Sequence, residues 1–88
     1  MKSKLTIDKY GTKVWNLPNG KWHRENGPAI EYVGGSKHWY INGERHREDG
    51  PAIETSKGIK GWYINGKQYT EKEYKYKTRS IKLNKLLK

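Results

Sequence analysis

Two stretches of this chain are almost identical: HRENGPAIE at residues 23–31 and HREDGPAIE at residues 46–54. The flanking sequence repeats as well, because GSKHWYING at 35–43 returns as GIKGWYING at 58–66. A partial copy, GTKVW, lies at 11–15. Self-similarity at a fixed period of roughly 20 to 50 residues is typical of architectures in which one supersecondary unit recurs. The middle of the chain is therefore predicted to be a repeat array.

The Asn-Gly dipeptide recurs at 19–20, 42–43 and 65–66, so the interval from each copy to the next is the same. Asn-Gly between β-forming residues is the strongest short-range hairpin signal, because a type I′ turn needs positive φ at both central residues. Each unit is therefore predicted to be a β-hairpin. The predicted strands cover residues 5–10, 13–17, 21–24, 29–33, 37–41, 44–47, 52–55, 60–64 and 67–69.

The fold class predicted from these signals is all-β with a C-terminal helix, an antiparallel β-meander of about three 23-residue hairpin repeats. Residues 1–70 form the predicted sheet, and residues 71–88 form a basic C-terminal helix or tail of the same domain. Residues 70–73, TEKE, fit a capping box at the helix start. The leucine side of the helix is expected to cap the open end of the sheet, with its lysine side in solvent.

The composition is poor in aliphatic residues and rich in aromatic ones. Leu, Ile and Val number 14 and Phe is absent, while the net charge is +10, which falls in the range typical of disorder. Four Trp and seven Tyr supply the missing apolar area. No Cys is present, which excludes a disulfide framework. A signal peptide or spanning segment is not recognisable, so a soluble, cytoplasmic protein is expected.

The repeated His-Arg-Glu clusters admit two interpretations. His23 with Glu25, and His46 with Glu48, have the residue types of an acid/base pair in a metal-independent nuclease. A catalytic centre is normally one site, however, and this motif occurs once per unit, so a structural role is favoured. The three His lack a carboxylate or Cys at ligand spacing, and no phosphate-binding glycine loop is present. We therefore predict no catalytic residue, no metal and no cofactor.

A pI near 9.8 makes phosphate polyanions the leading class of partner. Lys13, Lys37 and Lys60 each precede a repeated Trp by two residues and are predicted to form a row about 9 to 10 Å apart. The alternative is that they are solvated edge lysines. The candidate nucleic-acid-binding residues are Lys13, Lys21, Lys37, Arg45, Lys60, Lys67, Lys75, Lys77, Arg79, Lys82 and Lys85.

Single-stranded RNA is favoured over duplex DNA as the partner. Nothing in the sequence supplies a helix pair for reading the major groove, whereas a basic sheet with aromatic residues suits unpaired strands. Low sequence specificity is expected. A membrane-surface role for the tail is the weaker alternative, because the tail lacks Trp and Phe and its apolar stripe is irregular. No membrane partner is predicted, and the sheet edges allow a homodimer.

The pattern WYINGERHREDGPA at residues 39–52 resembles small repeat proteins of tailed bacteriophages and large viruses, and is similar to a variant of the membrane-occupation-and-recognition-nexus (MORN) repeat. The resemblance covers roughly residues 11–74. It implies a hairpin scaffold whose activity lies on its surface, in a phage protein located in the cytoplasm of the infected cell. Similarity to small basic phage inhibitors implies RNA binding that counters a host toxin or defence ribonuclease. The alternative is direct docking on a host enzyme.

Overall fold

The computed structural model describes residues 2–87, which form an antiparallel sheet and one C-terminal helix. The sheet has the order β1-β2-β3-β4-β7-β8-β9, and β5 and β6 form a short hairpin of their own. The elements are β1 Lys4–Ile7, β2 Lys13–Asn16, β3 Ile30–Glu31, β4 Lys37–His38, β5 Tyr40–Ile41, β6 Glu44–Arg45, β7 Ile53–Glu54, β8 Lys60–Ile64, β9 Lys67–Tyr69 and α1 Glu71–Leu86. The predicted fold class, a β-meander ended by a helix, is confirmed.

Two of the three Asn-Gly pairs form the predicted turn. Asn42 and Asn65 both have φ of 50°, and the following glycines have φ of 82° and 83°, as a type I′ turn requires. The prediction is wrong at Asn19, where only Gly20 has positive φ. Pro18 is the extra residue in this copy, and its fixed φ suits the first central position of a type I turn, with Gly20 in the left-handed position that follows.

A loop leaves the sheet after each of the first two hairpins; we call residues 23–28 loop 1 and residues 46–51 loop 2. The strand predicted at 37–41 is interrupted, because residues 37–38 pair with β7 and residues 40–41 pair with β6. Loop 2 leaves the sheet between these two pairings. The strand predicted at 21–24 is wrong for the same reason. It shrinks to one bridge, between Asn16 and Trp22, because the chain turns away into loop 1.

Neighbouring units are joined by backbone hydrogen bonds that recur at equivalent positions of the repeat. The Gly43 N–H donates to the Trp22 carbonyl at 2.8 Å, and the Gly66 N–H donates to the Arg45 carbonyl at 2.8 Å. Each Asn-Gly turn is thus fixed to the hairpin before it.

The sheet is thin and its core is correspondingly small. The principal extents are 44 × 33 × 17 Å. The buried apolar residues are Leu17, Ala29, Ile30, Tyr40, Ala52, Ile64 and Tyr74. Ala29, Ile30 and Tyr40 form one cluster, against which Val14 packs. Aromatic side chains therefore provide area that a larger domain takes from Leu and Val.

Helix α1 begins with the predicted capping box. The Glu73 N–H donates to the Thr70 hydroxyl at 3.1 Å, and the Thr70 N–H donates to the Glu73 carboxylate at 2.9 Å. The hydrogen bond that the carboxylate accepts from the Thr70 N–H favours its ionised form and holds the pKa of Glu73 below its ordinary value. Within residues 2–87, no helix is long and apolar enough to cross a bilayer.

The expected leucine cap is wrong. Tyr74 and Thr78 are the buried residues of α1, whereas Leu83, Leu86 and Leu87 are 53%, 81% and 84% exposed. The side of the helix that carries Tyr74 and Lys85 faces the sheet, because these two side chains form hydrogen bonds with loop 2. The leucines are left facing solvent.

Candidate nucleic-acid interface

Lys13, Lys37 and Lys60, which we call the lysine row, lie on one line across the sheet. Lys13 pairs with Glu31, which also pairs with Lys37. Lys37 pairs in turn with Glu54, which also pairs with Lys60. Directly opposed residues of antiparallel strands share a face. The register therefore places the three exposed lysines two strands apart, at the roughly 9 to 10 Å spacing that the repeat predicts.

The two glutamates within the row are neutralised by arginines of the loops. Arg24 Nη1 lies 2.9 Å from a Glu31 oxygen, and Arg47 Nη1 lies 2.8 Å from a Glu54 oxygen. Among residues 2–87, the three lysines have no carboxylate within 4 Å of their own. The row therefore keeps its three positive charges.

The same arginines cover the repeated tryptophans. The guanidinium carbons of Arg24 and Arg47 lie 3.8 Å from the ring centroids of Trp15 and Trp39. Trp62 is contacted by Tyr74 of α1, with ring centroids 4.8 Å apart. These three indoles are half-buried parts of the fold, and the faces occupied by the arginines and Tyr74 are not open to stacking on a nucleic-acid base.

The histidines of the repeated clusters join successive units. His23 Nδ1 accepts a 3.0 Å hydrogen bond from the Asn42 N–H, and His46 Nδ1 accepts one of the same length from the Asn65 N–H. His46 Nε2 lies 3.0 Å from a Glu48 oxygen, so both ring nitrogens are engaged. The geometry thus brings together the His–Glu pairs that the nuclease interpretation needs, but it employs the Nδ1 lone pairs in the fold.

Three further predicted residues lie near the Asn-Gly turns and differ in exposure. Lys21 and Lys67 are exposed. Arg45 is half-buried, with its guanidinium 5.8 Å from the Tyr40 ring and 5.4 Å from the Tyr63 ring. Its Nε is buried without a hydrogen-bond partner among the described residues. Arg45 packs between units and does not extend the basic surface as the sequence predicts.

The basic residues of α1 do not form a single stripe. Lys75, Arg79 and Lys82 follow one side of the helix, whereas Lys77 lies on the other. Lys85 binds Glu48 of loop 2 at 2.8 Å, and this hydrogen bond is the main cause that lowers the pKa of Glu48. Lys75 lies 3.5 Å from Glu71 in an exposed pair. Lys85 therefore has a structural contact, and the remaining four are candidates for a ligand.

An aromatic groove that the sequence reasoning missed lies beside Lys77. The groove has a volume of about 480 Å³ and is lined by Tyr69, Lys72, Glu73, Tyr76, Lys77 and Ser80. Tyr76 is 76% exposed, and Lys67 Nζ lies 5.4 Å from the Tyr69 ring centroid. We call this the tyrosine groove. A usable signal existed, because residues two apart on a helix point about 200° apart, so Tyr74 and Tyr76 cannot both face the sheet.

The described residues contain no group of three His, Asp or Glu side chains able to hold a metal ion. The chain matches no protein-family profile, no curated protein and no solved structure. The functional proposal therefore rests on the geometry of the lysine row, of helix α1 and of the tyrosine groove.

Proposed function

We propose that this protein binds single-stranded RNA without catalysis and with low sequence specificity. The observation that carries the proposal is the tyrosine groove, in which an exposed ring lies beside a second ring among lysines. Base stacking on aromatic side chains combined with lysine contacts to phosphates is the usual means of binding unpaired strands. Tyr76 and Tyr69 supply the rings, while Lys67, Lys72 and Lys77 supply the charges.

The lysine row ends next to the tyrosine groove. Lys60 lines a shallow depression with Tyr69, which also lines the groove, and with Glu71 and Glu73 at the start of α1. A strand that stacks a base in the tyrosine groove can therefore continue past Lys60 towards Lys37 and Lys13. The spacing of the row, about two strands per lysine, is close to the distance spanned by one or two nucleotides of an extended strand.

Binding is tested by fluorescence anisotropy with a labelled single-stranded RNA of mixed sequence, compared with DNA of the same sequence and with duplex RNA. Of the three nucleic acids, single-stranded RNA is expected to bind with the highest affinity. The logarithm of the association constant should fall by about 0.7 per contacted phosphate for each log unit of salt. Affinity that does not change with salt, or that is highest for duplex RNA, contradicts the proposal.

A second candidate function is direct docking on a host protein. It is favoured by the exposed Leu83, Leu86 and Leu87 beside Arg79 and Lys82, a mixed apolar and basic surface of the kind that suits an acidic protein groove. In either case we propose, from the phage-type repeats, that the target is a toxin or defence ribonuclease of the host. A pull-down with and without added ribonuclease separates the two, because a protein contact survives digestion of the RNA.

A further inference from the structure

We propose that the cleft between loop 1 and loop 2 binds the side chain of a tyrosine presented by a partner protein. The cleft has a volume of about 800 Å³, and it is separate from the tyrosine groove. The proposal goes beyond RNA binding, and it rests on the repeat symmetry of the chain, because the same protein already holds a tyrosine at the equivalent place one unit further on.

The internal example is Tyr74, whose hydroxyl binds loop 2. The hydroxyl donates a hydrogen bond to the Arg47 carbonyl and accepts one of 3.1 Å from the Gly50 N–H. Its ring packs on Trp62. One hydroxyl thereby satisfies both a backbone donor and a backbone acceptor of the loop.

The counterparts of Arg47, Gly50 and Trp62 in the preceding unit are Arg24, Gly27 and Trp39, and all three line the cleft. Among residues 2–87, the Arg24 carbonyl and the Gly27 N–H have no hydrogen-bond partner. Loop 1 therefore has the same donor and acceptor that loop 2 uses to bind Tyr74.

The apolar wall of the cleft is also less covered than its counterpart. Ile41 lines the cleft and is half-buried, whereas the equivalent Ile64 is 3% exposed. Arg47 occupies on Trp39 the face that Tyr74 occupies on Trp62, so an incoming phenol ring would lie against the guanidinium, in a cation–π contact, and not on the indole. What the two units share is therefore the pair of backbone hydrogen-bonding groups.

The charges of the cleft favour a neutral ligand over a phosphate. Its lining carries three basic and three acidic side chains, which are Arg24, Arg47, Lys82, Glu25, Glu48 and Asp49. Arg24 and Arg47 are already paired with Glu31 and Glu54. A nucleotide would gain little from this balanced environment, whereas a tyrosine side chain has no charge to neutralise.

The test is an NMR titration of the ¹⁵N-labelled full chain with N-acetyl-tyrosinamide as the probe and N-acetyl-phenylalaninamide as the matched control. The tyrosine probe should shift the Gly27 amide proton downfield in a saturable manner at millimolar concentration and should perturb the Trp39 indole N–H. The phenylalanine probe should bind several-fold more weakly. The Gly50 amide should not move, because Tyr74 already binds it.

A Tyr74→Phe variant calibrates the titration, since loss of the hydroxyl shows directly how far the Gly50 amide proton moves when this hydrogen bond is absent. Equal responses to the two probes, or no saturable shift at Gly27, would overturn the proposal. So would a stronger response to uridine, which assigns the cleft to a nucleoside. Without any probe, the Gly27 amide shift should not change with protein concentration. If it does, and the change disappears in Tyr10→Phe or Tyr76→Phe, the occupant of the cleft is a second copy of this chain and not a partner protein.

Discussion

The backbone N–H of Asn65 donates a 3.0 Å hydrogen bond to Nδ1 of His46, and the two residues are 19 positions apart. The bond joins the Asn-Gly turn of one unit to the loop of the unit before it, and Asn42 with His23 repeats it at the same length. The most reactive side chain of the repeated motif thus acts as a hydrogen-bond acceptor in the fold.

Replacing this acceptor is expected to destabilise the protein. His46→Ala should lower the free energy of unfolding by about 1–2 kcal/mol, since it removes a hydrogen bond between units together with the contact to Glu48. Urea unfolding followed by Trp fluorescence measures the change, and His23→Ala should behave alike. An unchanged urea midpoint in both variants shows that these bonds contribute nothing to stability.

The hydroxyl of Tyr74 is expected to fix helix α1 to the sheet. Burial raises the pKa of Tyr74, so the phenol keeps the proton that it donates to the Arg47 carbonyl. Tyr74→Phe should cost about 1–3 kcal/mol of stability, because it leaves a carbonyl and an N–H of loop 2 without their partner. Tyr76→Phe is the matched control and should change stability by less than about 0.5 kcal/mol, since Tyr76 is exposed. Equal thermal midpoints for the two variants would contradict this role.

Acid is expected to destabilise the fold through the groups whose pKa the fold lowers, which are His38 and Glu48 beside the capping Glu73. Burial and the nearby Arg45 lower the pKa of His38 from 6.5, so below that pH the unfolded chain binds a proton that the folded chain resists. The hydrogen bond from Lys85 lowers the pKa of Glu48 from 4.5, and its contribution is present above that pH and lost below it. The free energy of unfolding should therefore fall as the pH drops from 6.5 through 4.5.

Two variants isolate these contributions from the general repulsion among positive charges. His38→Val, which copies the residue at the equivalent Val14, should flatten the upper part of the pH profile. Glu48→Gln should flatten the lower part. Profiles that remain parallel to that of the original protein in both variants assign the acid effect to net charge alone.

Removing the exposed ring of the tyrosine groove is expected to weaken RNA binding. Tyr76→Ala should reduce the affinity for single-stranded RNA by about 1–3 kcal/mol, which is roughly 5- to 150-fold, because it removes one stacking surface. Tyr76→Phe keeps the ring and should bind normally. Tyr10→Ala removes an equally exposed tyrosine, 72% exposed, elsewhere on the molecule and should also bind normally. If Tyr10→Ala weakens binding as much as Tyr76→Ala, the groove is not the stacking site.

Neutralising the lysine row is expected to change the salt dependence of binding. The triple change Lys13→Gln, Lys37→Gln and Lys60→Gln should lower the slope of log affinity against log salt by about 2, if each lysine neutralises one phosphate. The matched triple of exposed lysines outside the candidate surface is Lys2→Gln, Lys4→Gln and Lys9→Gln. Equal loss of slope in both triples indicates attraction by net charge and not by the row.

Local signals in the sequence predicted most of the fold. The Asn-Gly pairs at 42–43 and 65–66 predict their turns because Asn and Gly are the residues that tolerate the positive φ values of a type I′ turn. The capping box at Thr70 is likewise a contact within one turn of helix. The extra Pro18 changed the first turn, and the repeat pattern did not predict that difference.

Contacts between units could not be predicted from such local signals. The packing of the half-buried Arg45 between Tyr40 and Tyr63 requires knowing that two neighbouring hairpins lie in register. The anchoring of α1 by Tyr74, and the exposure of its leucines that follows, depends on backbone groups of loop 2 that lie 24 and 27 residues away. The lysine row was predictable because each lysine precedes a repeated Trp by two residues, and equivalent positions of successive hairpins come into register.

Helix α1 takes the place of a third loop, since its N-cap Thr70 occupies the position that Arg24 and Arg47 hold in the earlier units. The length of the repeat array can therefore change by one whole repeat at a time. A further copy of the repeat, inserted between residues 41 and 42, would leave both ends of the molecule unchanged, and it would lengthen the lysine row by one step. On the proposed function, a chain with one such copy more or fewer would keep the same fold and bind RNA strands of a different length.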